Sequence, residues 1–256
     1  MTKPELHWRE ILLCLITLLA VAVVFSMPPI AQDSTYHQFS DNKSLYNIPN
    51  FRNTASNLGF VIVGFFGLSR IKSTAPALRL PFALFCLSVI LIGPGSAFYH
   101  LSPCSNTLVW DRLPMAMAFM SLFALVIQSR ISDRLGRWLL WPLLLAGISS
   151  VLYWYWSEQQ GIGDLRPYAL VQYLPMLLIP LLLILYARPD DGSQWIWTAL
   201  GCYVLAKMAE AADHAVFLAS QGLISGHSLK HLLAALAILL AIRAVKHFKP
   251  AVTPSG

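Results

Sequence analysis

The sequence predicts an all-α, polytopic membrane protein with a seven-helix transmembrane core and one extra N-terminal transmembrane helix. The chain has 256 residues, of which 57% are hydrophobic and only 12% are charged. Apolar runs of about the length needed to cross the hydrocarbon core recur from residue 11 to residue 245. Because these runs are continuously apolar rather than alternating, they exclude the strands of a membrane β-barrel and favour helices.

The first apolar run, 11–31, is long for the apolar part of a signal peptide. It lacks a convincing small-residue cleavage site, because Pro28 and Pro29 stand where one would be needed, so we expect a retained helix. The polar stretch 33–51 then forms a loop outside the membrane. Seven further apolar runs bring the predicted total to eight spans: 54–71, 80–101, 108–129, 138–156, 167–187, 194–219 and 227–245.

The connections between these runs are too short to form a soluble domain. We therefore predict an extra transmembrane helix within 1–32, a seven-helix membrane domain over 33–249 and a short tail over 250–256. We find no internal repeat. The sequence does not indicate an oligomeric state.

The net charge of +6 is a topology signal and does not indicate nucleic-acid binding, because the basic residues lie in short loops. Most of them fall on the side of the membrane that holds both termini. By the positive-inside rule, both termini are then cytoplasmic, and we expect a multi-pass protein of a bacterial inner membrane or plasma membrane. The residues on this side are Lys3, Arg9, Arg70, Lys72, Arg79, Arg130, Arg134, Arg137, Arg188, Arg243, Lys246 and Lys249.

Five polar residues lie at the ends of apolar runs, where ionisable groups are costly and usually functional. Ser96 and His100 are four residues apart, as are His227 and His231, so the members of each pair share a helix face. Two helices would then supply three imidazoles, and three protein ligands with an open fourth position are typical of a catalytic zinc. Asp111 and Ser96 remain as polar groups for chemistry beside the metal.

Counting membrane crossings puts all five residues at one end of the bundle. His100 ends the third predicted span, Asp111 begins the fourth, and His227 begins the eighth. All of these positions face the side opposite the termini. We therefore expect the metal site to lie towards the non-cytoplasmic side.

Other readings of these residues remain open at this point. A haem between two histidines does not explain the pair at i and i+4. Asp111 is either a group at the metal water, an orienting partner of a histidine, or a carboxylate that pairs with Arg112. Ser96 contacts substrate, or its hydroxyl bonds the carbonyl four residues earlier.

Two further polar groups have plainer explanations. Four residues of the seventh predicted span share a face and favour an ion-pair ladder over catalysis, with His214 as an alternative metal ligand. They are Lys207, Glu210, Asp213 and His214. A second group opens the sixth span at the same end and either lines a pocket or caps and anchors the helix: Asp164, Arg166, Tyr168, Gln172 and Tyr173.

The site residues are also those by which the chain resembles a known family. Ser96-x3-His100, Asp111 and His227-x3-His231, together with the segment 51–58, resemble the alkaline ceramidases. The wider superfamily of membrane hydrolases includes the adiponectin-type receptors. The resemblance covers about residues 36–245.

The resemblance implies a zinc ion held by His100, His227 and His231, with Ser96 and Asp111 assisting hydrolysis. The implied reaction cleaves a ceramide-like membrane lipid to a fatty acid and a sphingoid-type amine. Zinc would lower the pKa of its water to about 7. The alternative from the same superfamily is a non-catalytic lipid receptor or sensor with a structural zinc.

Animal members of the family also bind calcium through an acidic N-terminal loop and a Glu that opens the first core helix. Here Asn50 occupies that last position, and Asp41 is the only acidic residue between 34 and 110. Calcium usually needs several oxygen ligands, including carboxylates. The sequence therefore offers Ca²⁺ few of the expected ligands.

Overall fold

A computed structural model describes residues 8–251, and within that range the regular structure is helical, as predicted. The predicted tail lies almost entirely outside the described residues. Short 3₁₀ turns and one isolated β-bridge, between Leu45 and Ile48, complete the backbone. The α-helices are α1 (Trp8–Ser26), α2 (Phe51–Ser56), α3 (Leu58–Ser69), α4 (Arg79–Leu101), α5 (Ser105–Arg130), α6 (Asp133–Gln159), α7 (Arg166–Leu185), α8 (Ser193–Ala211), α9 (Asp213–Ala219) and α10 (Gly226–Val245).

Six helices in the described range are long and apolar enough to cross a membrane: α1, α4 with the turn before it, α5, α6, α7 and α10. Large apolar side chains on their outer faces are exposed in the isolated chain. A soluble protein would bury such faces, whereas lipid solvates them. The chain is a polytopic membrane protein.

Helix α1 packs along α7 at the edge of the bundle and buries only Leu13. It ends at Ser26 rather than at residue 31, because the Pro28-Pro29 pair that follows cannot continue a helix. The segment that follows α1 packs against the rest of the bundle. Its Ile30 carbonyl accepts a hydrogen bond from the Leu165 amide at 2.8 Å.

Two predicted spans are interrupted. The run 54–71 starts earlier, at Phe51, and divides into α2 and α3 at Asn57, whose side-chain amide donates to the Asn53 carbonyl at 2.8 Å. The run 194–219 divides into α8 and α9 at Ala212, where ψ is 25°. The prediction of one uninterrupted helix was therefore wrong in both places.

Helix α5 lies at the centre of the bundle. It packs against α4, α6 and α7, and its residues from Phe123 to Arg130 are all buried. Helix α10 packs along α8 and contacts α2 and α3. This arrangement brings the end of α4, the start of α5 and the start of α10 to the same end of the molecule.

Candidate metal centre

Three histidines meet at that end. His100 comes from the last turn of α4, and His227 and His231 come from the first two turns of α10. The centroids of their rings lie 4.8–5.1 Å apart. One nitrogen from each ring lies within 4.8 Å of the others, and all three side chains are buried. Within residues 8–251, this is the group of histidine, cysteine and acidic side chains with the geometry to hold a metal ion.

Two glycines allow the helices that carry the site to approach closely. A Cβ atom on Gly95 would lie 2.2 Å from the carbonyl oxygen of Trp110, so α4 and α5 touch backbone to backbone. A Cβ atom on Gly226 would lie 2.1 Å from the carbonyl oxygen of Ala209. Each glycine immediately precedes a site residue, Ser96 in the first case and His227 in the second.

The tautomer of His231 follows from its neighbour. The Ser56 hydroxyl donates to the Asn53 carbonyl at 3.0 Å, and its oxygen lies 2.8 Å from Nδ1 of His231. Because a hydroxyl has one proton, which Ser56 already donates to Asn53, the Ser56 oxygen must accept a hydrogen bond from the Nδ1–H group of His231. The lone pair of His231 is then on Nε2, which is the state a metal ligand requires.

One further observation and the usual ligand chemistry of zinc both fit a zinc ion at the three histidines. Nδ1 of His100 is buried and has no hydrogen-bond partner within the described range, which is costly for a polar atom. Three imidazole nitrogens with room for a fourth ligand are the usual protein contribution to a catalytic zinc. The residues present therefore suit this metal.

The start of α10 is fixed by several hydrogen bonds. Ser225 caps the helix by accepting from the Ser228 amide at 3.0 Å. The Asn53 side-chain oxygen accepts from the Ser228 hydroxyl at 2.7 Å, and the Asp213 carboxylate accepts from the His227 amide at 2.8 Å. These contacts fix the position of His227 and His231 along the axis of the helix bundle.

The loop after α1 covers the histidines. The Phe39 ring lies 4.7 Å from the ring of His100 and 4.5 Å from that of His227, measured between centroids. Nδ1 of His37 lies 2.9 Å from the Tyr99 hydroxyl. Burial, and then the charge of Arg112, lowers the pKa of His37, while burial raises the pKa of Tyr36. His37 and Tyr36 are therefore uncharged at physiological pH.

The two residues considered for calcium are engaged elsewhere. Asp41 is 1% exposed and forms an ion pair with Arg52 at 3.0 Å. The Asn50 side chain donates to the carbonyl of His100 at 2.8 Å. The guanidinium of Arg52 thus neutralises the carboxylate that the resemblance would assign to a cation.

A cavity of about 310 Å³ extends from the metal centre into the bundle. Ser96, Asp111 and His231 line its polar end, and Ser96 lies close to Asp111. The opposite end is apolar. Among the residues that line it are Val126, Ile196 and Ala241.

The predicted ladder on the seventh span is only partly formed. Glu210 forms ion pairs with Lys207 and with Lys230, the latter at 2.8 Å, and Nζ of Lys230 also lies 3.2 Å from Nε2 of His227. Asp213 does not take part in these ion pairs, because its carboxylate accepts a hydrogen bond from the His227 amide at the start of α10. His214 is exposed and lies outside the histidine group.

The group that opens α7 divides between the two expected roles. Asp164 accepts from the amide and the guanidinium of Arg166, so these two residues anchor the helix, and the hydrogen bonds lower the pKa of Asp164. Tyr168, Gln172 and Tyr173 line the cavity.

Sequence reasoning missed four contributors to the site. Ser56 lies in the segment quoted for the resemblance, which was the sole signal for it. Phe39 and Lys230 gave no signal apart from their positions in a loop and between two histidines. Arg112 entered only as a partner for Asp111, with which it forms no ion pair in the described structure.

Comparison with models of known protein families identifies the family of this chain. The family model described as Ceramidase matches residues 41–208, which include Ser96, His100 and Asp111 and end before His227. No curated protein and no solved structure matches the chain. Because the match extends over more than half of the sequence, the chain belongs to the ceramidase family.

Proposed function

We propose that this protein is a zinc-dependent hydrolase that cleaves the amide bond of a ceramide-like membrane lipid, releasing a fatty acid and a sphingoid-type amine. The observation that carries the proposal is the convergence of three buried imidazoles at the polar end of a long apolar cavity. Membership of the ceramidase family supports the same reaction.

His100, His227 and His231 would hold the zinc ion. When bound there, zinc supplies a Lewis acid that polarises a carbonyl and lowers the pKa of water to about 7. The hydrogen bond from His231 to Ser56 keeps one ligand in the required tautomer. Glu210 neutralises Lys230, so the ammonium beside His227 does not add an unpaired positive charge next to the metal.

Asp111 and Ser96 would carry the proton and the oxyanion. The carboxylate of Asp111 takes a proton from the attacking water and delivers it to the nitrogen of the leaving amine when the amide bond breaks. The Ser96 hydroxyl donates a hydrogen bond to the carbonyl oxygen as negative charge develops on it. Their adjacency at the cavity's polar end is what these roles require.

The apolar part of the cavity would hold the acyl chain. Helix α5 lines it from Asp111 to Val126, and these two residues lie fifteen positions apart, a rise of about 22 Å. This depth suits a long, unbranched chain. The weak packing of α7 against α8, compared with that of α8 against α10, favours lipid entry between α7 and α8.

The distribution of basic residues supports a site on the non-cytoplasmic side, with both termini in the cytoplasm. A cysteine-accessibility experiment on intact cells tests this orientation. A cysteine that replaces Gln159 should react with an impermeant maleimide, whereas one that replaces Lys246 should not. The opposite pattern contradicts the orientation.

Purified His231→Ala and Asp111→Asn variants test the reaction. Elemental analysis should show that His231→Ala loses zinc, and that Asp111→Asn retains it. Mass spectrometry of incubated lipid amides should show fatty-acid release falling to background in the first and by about 10²- to 10⁴-fold in the second. His214→Ala, an exposed histidine outside the group, is the control and should match the wild type.

Full hydrolysis by a His231→Ala protein with full metal content would contradict the assignment. Full zinc content with lipid binding but no hydrolysis in the wild type would instead support the receptor or sensor reading.

A further inference from the structure

The polar end of the cavity holds an ion pair whose groups take no part in the proposed chemistry. Nζ of Lys230 lies 2.8 Å from Oε1 of Glu210 and 3.2 Å from Nε2 of His227. Both charged side chains line the cavity, and they are 17% and 15% exposed, respectively. The pair therefore stands beside one of the histidines proposed to bind zinc, on a wall that a bound lipid would contact.

The ion pair keeps hydrogen-bonding capacity of both kinds. The ammonium of Lys230 has three protons, and within residues 8–251 its nitrogen contacts Glu210 and His227. Oε1 of Glu210 accepts from Lys230 and Oε2 accepts from Lys207, although each carboxylate oxygen has two lone pairs. An unused donor and unused acceptor sites therefore lie side by side on the cavity wall.

A role in joining α8 to α10 explains the ion pair but does not explain its position on a cavity wall. Ionisable side chains in membrane segments are costly, and they usually face a functional cavity. A hydroxyl group of a ligand would use one donor and one acceptor at a single atom. An anionic group would accept from Lys230 but would be repelled by the carboxylate of Glu210.

We propose that Lys230 and Glu210 bind a hydroxyl group in the head of the lipid and make this hydroxyl a determinant of substrate specificity. The inference rests on the proposed hydrolysis. In a ceramide-like lipid, hydroxyls are carried by the two carbons next to the carbon that bears the amide nitrogen, so each oxygen is three bonds from that nitrogen. A hydroxyl so close to the scissile bond needs partners beside the metal centre, as Lys230 is beside His227. Lys230 donates to the hydroxyl oxygen, and the hydroxyl donates to Glu210.

Three matched lipids test the proposal with the full-length, zinc-loaded protein. N-palmitoylsphinganine carries both hydroxyls, and its 1-deoxy and 3-deoxy analogues each lack one. We expect loss of the hydroxyl that the pair binds to lower kcat/KM by about 10- to 100-fold, as for a hydrogen bond to a charged group, and to reduce the rise in Tm. In Lys230→Met the ratio of kcat/KM for the parent lipid over that analogue should fall to about 1.

Two further variants separate recognition from folding. Glu210→Gln keeps the size of the side chain and removes the charged acceptor, so it should also lower the ratio, and it serves if Lys230→Met does not fold. Lys72→Met makes the same substitution at an exposed position outside the cavity wall and should keep the wild-type ratio. A purely structural role of the pair would lower turnover of all three lipids equally and leave the ratio unchanged.

Equal kcat/KM values for the three lipids in the wild type would overturn the inference and leave the proposed hydrolysis intact. An unchanged ratio in folded, zinc-loaded Lys230→Met would overturn it as well. So would a higher kcat/KM for the lipid with a phosphate in place of the 1-hydroxyl, because the two lysines would then form an anion site. If no lipid is hydrolysed but the parent lipid raises Tm more than a deoxy analogue in a Lys230-dependent way, the proposed function fails and the hydroxyl site stands.

Discussion

Helix α5 has a buried arginine at each end, and the two differ in their partners. Arg130 is 1% exposed, forms an ion pair with Asp191 and donates to the Ser193 hydroxyl at 3.1 Å. Arg112 stacks on aromatic rings and forms no ion pair with a carboxylate among residues 8–251. The charge of Arg130 is neutralised within the chain, whereas Arg112 follows Asp111 at the end of the helix that carries the site. The comparison separates a structural end from a functional end of the same helix.

Gln128 makes further hydrogen bonds within the chain at the Arg130 end. The Gln128 side-chain amide donates to the Ala77 carbonyl at 2.9 Å and to Asp133 at 2.8 Å, and the backbone carbonyl of Gln128 accepts from the Ala251 amide at 3.1 Å. Burial would raise the pKa of Asp191, but hydrogen bonds from Arg130 and Ser193 lower it to about 2. Among residues 8–251, both ends keep buried polar atoms without hydrogen-bond partners: Oε1 of Gln128 and Nε of Arg130 at the far end, and Nδ1 of His100 and Nη1 of Arg112 at the site end. The two ends therefore differ in whether the arginine has a carboxylate partner.

The largest predicted effect comes from breaking the paired arginine. Arg130→Met should lower the free energy of unfolding by about 3–5 kcal/mol, because it leaves the Asp191 carboxylate partly buried without its cation. Arg112→Met should cost less, about 0.5–2 kcal/mol, since it removes mainly stacking. Denaturant titration in detergent measures both. If Arg112→Met lowers the free energy of unfolding as much as Arg130→Met does, Arg112 is a structural residue and the two arginines do not differ in role.

The same pair predicts acid sensitivity. The pKa of Asp191 in the folded protein is about 2, below its ordinary value of 3.8. The lowered pKa means that the pair contributes stability above pH 3.8, and that this contribution is lost as the pH falls towards about 2. Asp191→Asn should be less stable at neutral pH and should lack this part of the acid transition. Identical acid transitions in the two proteins would contradict the assignment.

Gly95→Ala should disrupt the contact that aligns Ser96 with Asp111. The added methyl group would meet the Trp110 carbonyl oxygen at 2.2 Å, so α4 and α5 must separate. Overpacking of this kind typically costs about 1–3 kcal/mol, and we expect hydrolysis to fall with stability. Gly201→Ala is the matched control, because nothing lies within 4 Å of its added Cβ. Its stability should be unchanged or higher, and an equal loss in both variants would point to a general intolerance of alanine.

Ser56→Ala should weaken metal binding without removing a ligand. Loss of a group that orients a ligating histidine typically lowers metal affinity by about 10- to 100-fold. Competition with a zinc chelator measures this change. Ser69→Ala, an exposed serine of α3 whose hydroxyl bonds the Phe66 carbonyl at 2.7 Å, should keep the wild-type affinity. Unchanged affinity in Ser56→Ala would mean that His231 does not bind the metal through Nε2.

The sequence predicted the long-range part of the site better than its surroundings. The four-residue spacing of His227 and His231, combined with the count of membrane crossings, was enough to bring them to His100. The breaks at Asn57 and Ala212 were missed, because hydropathy averages over a turn and does not register one hydrogen bond at a side chain. The hydrogen bonding and stacking of Arg112 depend on Gln32 and Trp154. These residues lie in distant parts of the chain, and no sequence pattern links them to Arg112.

The smallest predicted effect concerns the apolar end of the cavity. Unlike the polar end, this end is lined by apolar side chains, so it can select a ligand only by size and shape. Ala241 lines this end about ten residues, or about 15 Å, beyond His231. Ala241→Phe should shorten the cavity and leave zinc content unchanged. We expect the ratio of kcat/KM for hexadecanoyl over decanoyl amides to fall about tenfold, as expected when a few methylenes lose their place in an apolar pocket.

Leu236→Phe, an exposed position on the same helix, is the control and should keep the wild-type chain-length profile. Where Ala241→Phe is too unstable to purify, Ala241→Val should give a smaller shift in the same direction. An unchanged profile in a folded, zinc-loaded Ala241→Phe protein would mean that the acyl chain does not reach this end. The depth of the bundle would then serve packing alone, and specificity would depend on the polar end.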